Sequence, residues 1–130
     1  MRFSVVTAVR NGEAGIERTM RSVLRQTYLP PFEYIIVDGA STDETLSIAK
    51  SLVPEFERRD IAVKLISEPD KGIYDAMNKG IAASGGEIVG MINCGDIYRP
   101  DALTETEQAF DAGCDLSYGD ILIIRGRRTY

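Results

Sequence analysis

The sequence contains no histidine, and that absence removes a large block of chemistry. Ser-His-Asp and Cys-His nucleophiles need an imidazole base, and mixed Cys/His zinc sites need imidazole ligands. Cysteine is scarce as well. Cys94 and Cys114 stand alone without metal-like spacing, so neither a zinc site nor a disulfide framework is indicated. Free thiols fit a reducing cytoplasm. Positive charge is in the minority: 15 Lys and Arg stand against 20 Asp and Glu, a net charge of −5. A general nucleic-acid binder displaces counterions with a basic face, so nucleic acid is not the expected partner. A small anion such as a nucleotide diphosphate stays open, because a metal and one or two local cations suffice to hold it. No apolar run approaches the roughly 20 residues of a membrane span. Residues 1–9 are too short and wrongly flanked for a signal peptide. The expected location is the cytoplasm, at the inner face of the membrane in a longer form.

Two common phosphate-holding loops are also missing. No G-x-x-x-x-G-K-[ST] occurs, which argues against a P-loop NTPase, and no G-x-G-x-x-G follows the first strand-like run, which argues against a dinucleotide site. Any bound phosphates would need another device. A divalent metal on a carboxylate is the obvious one, since hard oxygen ligands suit Mg²⁺ or Mn²⁺.

What is present is a regular alternation of strand-like and helix-like segments within 130 residues, enough for one domain. Residues 3–9, 34–37, 61–66 and 88–92 are apolar and largely β-branched, and 116–124 is a further strand-like run. Ile16, Met20, Val23 and Leu24 fall on one helical face. Ser41-Thr42-Asp43-Glu44 reads as a capping box before a helix that turns Leu46, Ala49, Leu52 and Val53 inward. Tyr74, Met77 and Ile81 mark the inner face of a third helix, closed by Gly85-Gly86. Pro100 fits the first position of a fourth, with Leu103 and Phe110 inside. The nearly all-apolar run 88–92 is the type expected when both sheet faces are covered. Alternating strands and helices predict an α/β sandwich around a mainly parallel sheet. Ligands gather at the carboxyl ends of such strands. The polar clusters stand there: Arg10-Asn11, Asp38, Asp70-Lys71, and Asn93 with Asp96.

Several of these segments carry a resemblance. Ser4-Val5-Val6-Thr7-Ala8-Val9-Arg10-Asn11 and Ser22-Val23-Leu24-Arg25-Gln26-Thr27-Tyr28 resemble the opening of the family 2 glycosyltransferases. Tyr34-Ile35-Ile36-Val37-Asp38-Gly39-Ala40-Ser41-Thr42-Asp43-Glu44-Thr45 resembles their second strand and helix. Ser67-Glu68-Pro69-Asp70-Lys71-Gly72-Ile73-Tyr74-Asp75-Ala76-Met77-Asn78-Lys79-Gly80 resembles a segment typical of one branch. Ile92-Asn93-Cys94-Gly95-Asp96 is similar to their Asp-x-Asp-type metal motif. The segments occur in family order over nearly the whole chain. The resemblance implies a GT-A (Rossmann-like) three-layer α/β/α sandwich, a nucleotide-sugar donor (a UDP-sugar most often), Mg²⁺ or Mn²⁺ on the diphosphate, and inversion at the anomeric carbon. The acceptor it implies is a glycan or a lipid-linked molecule.

Carried over position by position, Asp96 matches the second acid of the metal motif; its plain alternative is a turn acid before Pro100. Gly95 stands where many members have the first acid, and Asn93 reaches the ribose or packs the strand end. Thr7, Val9, Arg10 and Asn11 match the segment that lies against the base, although Thr7 also reads as an ordinary strand residue. Asp38 is the remaining acid where many members have two, and either contacts the base or closes the strand in an Asx-turn. Lys71 is a candidate phosphate partner or a solvated surface lysine. Asp75 and Asn78 share a helix face that points at the nucleotide or at solvent. Cys94 reads as small filler, and Arg18, Arg21 and Arg25 as a solvated helix face. No residue is assigned as the catalytic base, because the family's acceptor half, which carries it, has no counterpart here. Residues 1–130 are expected to form the donor-binding part, apparently truncated, able to bind donor and poor at transfer alone. The contrasting expectation is a non-catalytic nucleotide-binding module that self-associates into a homo-oligomer through an exposed sheet edge. A sugar-nucleotide nucleotidyltransferase shares a similar architecture, but Arg10-Asn11-Gly12-Glu13 lacks that class's Gly-rich, basic loop.

Overall fold

A computed structural model of the chain describes residues 1–113 and the backbone of residues 124–125 and 128–129. Cys114 and most of the strand expected over 116–124 lie outside the described residues. β1 (Phe3–Val9), β2 (Glu33–Asp38), β3 (Ala62–Ser67) and β4 (Ile88–Met91) form a parallel sheet in the order β3-β2-β1-β4. A short antiparallel pair, β5 (Ile124–Arg125) and β6 (Arg128–Thr129), stands apart from it. The chain steps from β1 through β2 to β3 and then returns to the other side of β1. This places a topological switch point between β1 and β4.

The period-2 alternation of β1 and β2 builds two cores. Phe3, Val5, Val9, Tyr34 and Ile36 face α1 (Ile16–Leu24), α2 (Thr45–Glu57) and α4 (Ala102–Asp111). Val6, Ala8, Ile35 and Val37 face the other way, onto Ala76 of α3 (Ile73–Ala83). The result is the expected three-layer α/β/α sandwich. Every residue of β1 and β2 is buried, as central parallel strands require. β4 is only half-buried along its length, because its sole strand neighbour among the described residues is β1.

Local details differ from the sequence reading in instructive ways. The capping box does not form. The Ser41 hydroxyl turns back to Asp38, and Asp43 accepts from the Thr45 amide at 3.0 Å and from its hydroxyl, so the helix begins at Thr45. Its buried row is Thr45, Ala49, Leu52 and Phe56, while Leu46 and Val53 are only half-buried. α3 is rotated relative to expectation. Ala76 and Gly80 face the sheet, whereas Tyr74 is 79% and Ile81 48% exposed. The reason is close approach: a Cβ on Gly80 would collide with Val6, so small residues meet β1 most closely, and of the three large residues only Met77 packs against that core. Gly85 and Gly86 adopt no left-handed cap. Gly86 instead crosses β1 so closely that a Cβ would lie 2.7 Å from the Phe3 carbonyl carbon, and the Gly85 amide donates to Glu33 at 2.6 Å. Pro100 precedes α4, which starts two residues on, and its carbonyl accepts from the Thr27 amide at 2.8 Å.

Glu33 anchors the amino-terminal edge of the sheet. Its buried carboxylate accepts from the Ser4 hydroxyl at 2.5 Å and the Gly85 amide, and pairs with Lys64 at 3.0 Å. Burial pushes its pKa up, but these donors together outweigh that and hold it below the usual glutamate range. No helix among the described residues is long and apolar enough to cross a membrane.

Candidate functional site

The parallel register aligns the strand ends. Val9 pairs with Asp38, Asp38 with Ser67, and Ile92 donates its amide to the Val6 carbonyl at 2.9 Å. The loops after β1, β2, β3 and β4 therefore meet along one edge, where the sequence placed its polar clusters.

The first two loops are laced together. Asn11, at φ 51°, accepts from the Thr42 amide at 2.8 Å, while its own amide donates to the Ser41 hydroxyl at 2.8 Å. Gly12 donates to the Thr45 hydroxyl, Glu13 to Asp43, and Glu44 to the Glu13 carboxylate. Asp38, 1% exposed, accepts from the Ser41 amide at 3.2 Å and from the hydroxyls of Ser41 and Ser67. It closes the turn after β2 through an amide three residues on, one further than an Asx-turn uses, and ties the third loop to the second. Thr7 is 0% exposed, and its hydroxyl shares a 2.7 Å hydrogen bond with buried Tyr34. Thr7 takes the ordinary strand role that was its alternative reading, with its hydroxyl turned into the core rather than toward a base.

The loop of Asn93 to Asp96 is held just as firmly. Thr19, buried on α1, accepts from the Gly95 amide at 2.8 Å and donates to the Asp96 carbonyl at 2.7 Å. Gly95 has φ +97°, which side chains rarely adopt, and a Cβ on Gly15 would lie 2.9 Å from its Cα. An acid at position 95 would strain this backbone, so a single carboxylate remains. Cys94 is half-buried against the Gly12 carbonyl, and burial raises its thiol pKa, in keeping with a filler role. The Asp96 carboxylate is half-exposed and accepts no hydrogen bond among the described residues. Asn93 is exposed beside it. Among the described residues no group of three or more metal-ligating side chains is gathered.

Across β1 from that loop lies a cleft of about 270 Å³, floored by Ala8, Val9 and Ala76 and rimmed by Arg10, Asp70 and Ile73. Val9 and Arg10 were expected here; Asp70 was expected on this edge of the sheet, in the cluster Asp70-Lys71, but without an assigned role. Its Oδ1 accepts the Gly72 amide at 3.0 Å, while a Cβ on Gly39 would lie 2.5 Å from its Oδ2. The signal available in the sequence was Gly39 beside Asp38, a vacancy that a neighbouring loop fills. Lys71, between the lining residues Asp70 and Gly72, is exposed, and its amide donates to the Asp75 carboxylate at 2.9 Å. Asp75 also lies 3.7 Å from Lys79 Nζ, so it orders the start of α3, while Asn78 is exposed on the same helix. Neither Arg10 nor Lys71 forms an ion pair among the described residues. The arginine row on α1 behaves as a surface: Arg21 pairs with Glu17 at 2.9 Å, and Arg18 reaches the Gly95 carbonyl at 3.1 Å.

Comparison with known proteins places this geometry. The profile described as "Glycosyl transferase family 2" matches residues 4–129. A PGL/p-HBAD biosynthesis glycosyltransferase of Mycobacterium bovis is 34% identical over 124 residues, covering 93% of this chain and 47% of that protein. Staphylococcus aureus TarS, solved with UDP-GlcNAc, superposes with TM-score 0.73 at 25% identity over 86% of this chain and 32% of TarS. The Pyrobaculum calidifontis mannosyltransferase PcManGT, solved with GDP-Man and Mn²⁺, gives 0.74 at 27% identity over 82% of this chain and 31% of its own. The chain spans about half or less of the length of the curated relatives it matches.

Proposed function

The chain belongs to glycosyl transferase family 2, and from that premise we propose that it supplies the donor-binding part of an enzyme that moves a sugar from a nucleotide sugar, with UDP as the nucleotide, to a hydroxyl of a glycan or lipid-linked acceptor. The observation that carries this reading is the Asp96 carboxylate. It stands at the switch point of a parallel sheet, free of hydrogen bonds from the described chain, on a loop pinned by Thr19. The solved neighbours with UDP-GlcNAc and with GDP-Man and Mn²⁺ support a nucleotide-sugar donor and a divalent metal.

The residues present fit such a metal. Mg²⁺ and Mn²⁺ bind through one or two carboxylates plus substrate phosphates and water, not through an all-protein cage. One free carboxylate without a three-ligand cluster is that donor set. When bound, the dication offsets the negative charge that the departing nucleotide diphosphate gains. The chain's own part is placement. Arg10 and Lys71 are unpaired cations beside the cleft, suited to phosphate oxygens. Asn11 and Asp38 hold the loops that shape the nucleoside side, and Asn93 and the Gly95 backbone flank the sugar side. In the transfer, the bond from the anomeric carbon to phosphate oxygen breaks. A bond to the acceptor oxygen forms on the opposite face, which inverts the centre. The acceptor's proton passes to a base that is assigned to no described residue.

Calorimetry with UDP, with and without Mn²⁺, tests the proposal. Wild type should bind UDP more tightly with Mn²⁺, and Asp96→Ala should lose that enhancement. An Asp96→Ala variant with unchanged Mn²⁺-dependent affinity removes Asp96 from the metal, and a wild type that binds no nucleotide refutes the function.

A further inference from the structure

Within the donor-binding function proposed above, we infer that Gln26 is a positioning residue for Asp96, fixing from the far end of α1 the path of the segment that carries the metal-side carboxylate. The starting point is how α1 divides its buried surface. Ile16, Met20 and Val23 go to the apolar core. Thr19, Ser22 and Gln26 follow one another at spacings of three and four along a second stripe. They are buried too, and their polar ends meet the backbone of the segment after Asn93. Thr19 accepts from the Gly95 amide and donates to the Asp96 carbonyl. Ser22 accepts from the Tyr98 amide at 3.1 Å and donates to the Thr19 carbonyl at 2.7 Å. Gln26 stands in the turn just past α1. Its Nε2 donates to the Arg99 carbonyl at 2.7 Å and to the Ser22 carbonyl at 3.1 Å, while its Oε1 accepts from the Leu103 amide at 3.1 Å.

The side-chain amide of Gln26 matches this place atom by atom. Two N–H groups and one carbonyl oxygen meet two carbonyls and one amide. At 1% exposure, a partner left behind by its loss would stay unpaired. Glutamate would set a carboxylate against two carbonyl oxygens, asparagine is one methylene short, and methionine fills the space with nothing to donate. Gln26 is itself held from behind, since Arg59 Nη2 donates to its carbonyl at 3.0 Å. The bonds that Thr19, Ser22 and Gln26 make to residues 95–103 all go to main-chain atoms, so what they set is the path of that segment. Asp96 lies between the grip of Thr19 on one side and those at Tyr98 and Arg99 on the other. A segment held at one end can swing; held at both, its free carboxylate keeps one position. A metal that takes a single carboxylate from the described chain depends on that position, as metal ligands depend on the groups that orient them.

The test is calorimetric binding of UDP to the 130-residue chain with and without Mn²⁺, together with amide hydrogen exchange of the metal-free chain, for wild type, Gln26→Met, Ser22→Ala, Ile35→Val and Asp96→Ala. Gln26→Met keeps the length of the side chain and removes its hydrogen bonds. It should lower the Mn²⁺ enhancement of UDP binding about tenfold, the low end of the loss when a metal ligand is deprived of its outer support. Metal-free UDP binding should stay as in wild type. The amides of Gly95, Asp96 and Tyr98 should exchange faster than in wild type, while those of β1 keep their rates. Ser22→Ala should move both readouts the same way, and it decides the matter if Gln26→Met fails to fold. Ile35→Val trims the core on the opposite face of the sheet, and should keep the full Mn²⁺ effect despite its lower stability. An unchanged Mn²⁺ effect in the folded variant, an equal loss in Ile35→Val, or an equal loss in metal-free binding overturns the inference. If Asp96→Ala loses its Mn²⁺ response while Gln26→Met and Ser22→Ala keep theirs, the role of Gln26 falls and the donor-binding function stands. A wild type without any Mn²⁺ enhancement removes both the metal role of Asp96 and the inference built on it.

Discussion

Replacing Thr19 with valine would separate the loop that carries Asp96, the proposed metal-side acid, from the helix that holds it. Thr19 is fully buried, and its hydroxyl makes two hydrogen bonds to the loop, one from the Gly95 amide at 2.8 Å and one to the Asp96 carbonyl at 2.7 Å. Valine keeps the shape and removes both. Each such bond contributes about 1 kcal/mol net, so the gross loss is about 2 kcal/mol. The new methyl offsets part of it, at most about 0.8 kcal/mol for one buried carbon. The loop groups are half-buried, so water can reach them and the full penalty of an orphaned polar group does not apply. A net destabilisation of about 1.5 kcal/mol follows. In urea, with a slope near 1.5 kcal/mol per molar, this shifts the midpoint down by about 1 M at constant slope. The same variant should weaken Mn²⁺-dependent UDP binding several-fold while leaving metal-free binding alone, because only the Asp96 side of the site has been released. Thr19→Ser, which retains the hydroxyl, should restore the metal response. A Thr19→Val protein within about 0.3 kcal/mol of wild type and with an intact Mn²⁺ effect would refute the view that this hydroxyl positions the loop.

Three further outcomes are expected. Glu33→Gln removes a buried anion that Ser4, Gly85 and Lys64 surround, and should cost about 2 kcal/mol in urea unfolding at pH 7. Because the folded pKa of Glu33 is lowered, its stabilisation is complete above the unfolded value of about 4.3 and is lost as pH falls through the folded value. The gap between wild type and Glu33→Gln should therefore hold above about pH 4.3 and narrow as pH falls below it. Gly80→Ala forces a methyl into Val6 and should lower the melting temperature. The expected loss is about 1–3 kcal/mol, as overpacking costs, and no change would mean that α3 does not pack where described. Gly15→Ala places its methyl 2.9 Å from the Gly95 Cα, which is backbone and cannot swing aside; Mn²⁺-dependent nucleotide binding should fall more than thermal stability does.

The gross architecture was legible because central parallel strands must be mostly apolar, and residues 3–9, with only Ser4 and Thr7 polar, and 34–37 are; the covering of both faces was expected of 88–92 instead, and β4 proves only half-buried. The ends of those strands located the polar edge for the same reason. Finer features escaped where the sequence pattern was ambiguous. Tyr74, Met77 and Ile81 have helical spacing, and spacing alone reads them as the inner face. Met77 does pack on that core, but Tyr74 and Ile81 do not, because the closest contact with β1 is decided by clearance and falls to Gly80 and Ala76. Ser41 and Glu44 have capping-box spacing, but Asp38 captures the Ser41 hydroxyl first.

At the site, the sequence by itself determined the family, the edge of the sheet and Asp96 as the metal-side candidate, because a short motif in a loop carries its own chemistry. It also marked Val9 and Arg10 on the rim. Thr7 entered the same list because it matches the family segment that lies against the base, and only the packing of Tyr34 against it shows a core hydroxyl. The acid at Asp70 was visible as a residue but not as a neighbour of Gly39, since they are 31 positions apart in the chain. A glycine reads as an absence in a sequence. In the folded chain Gly39 is a gap of a particular shape, and what fills it depends on where another loop arrives. Contacts between loops arise from the register of the whole sheet, which no local pattern encodes.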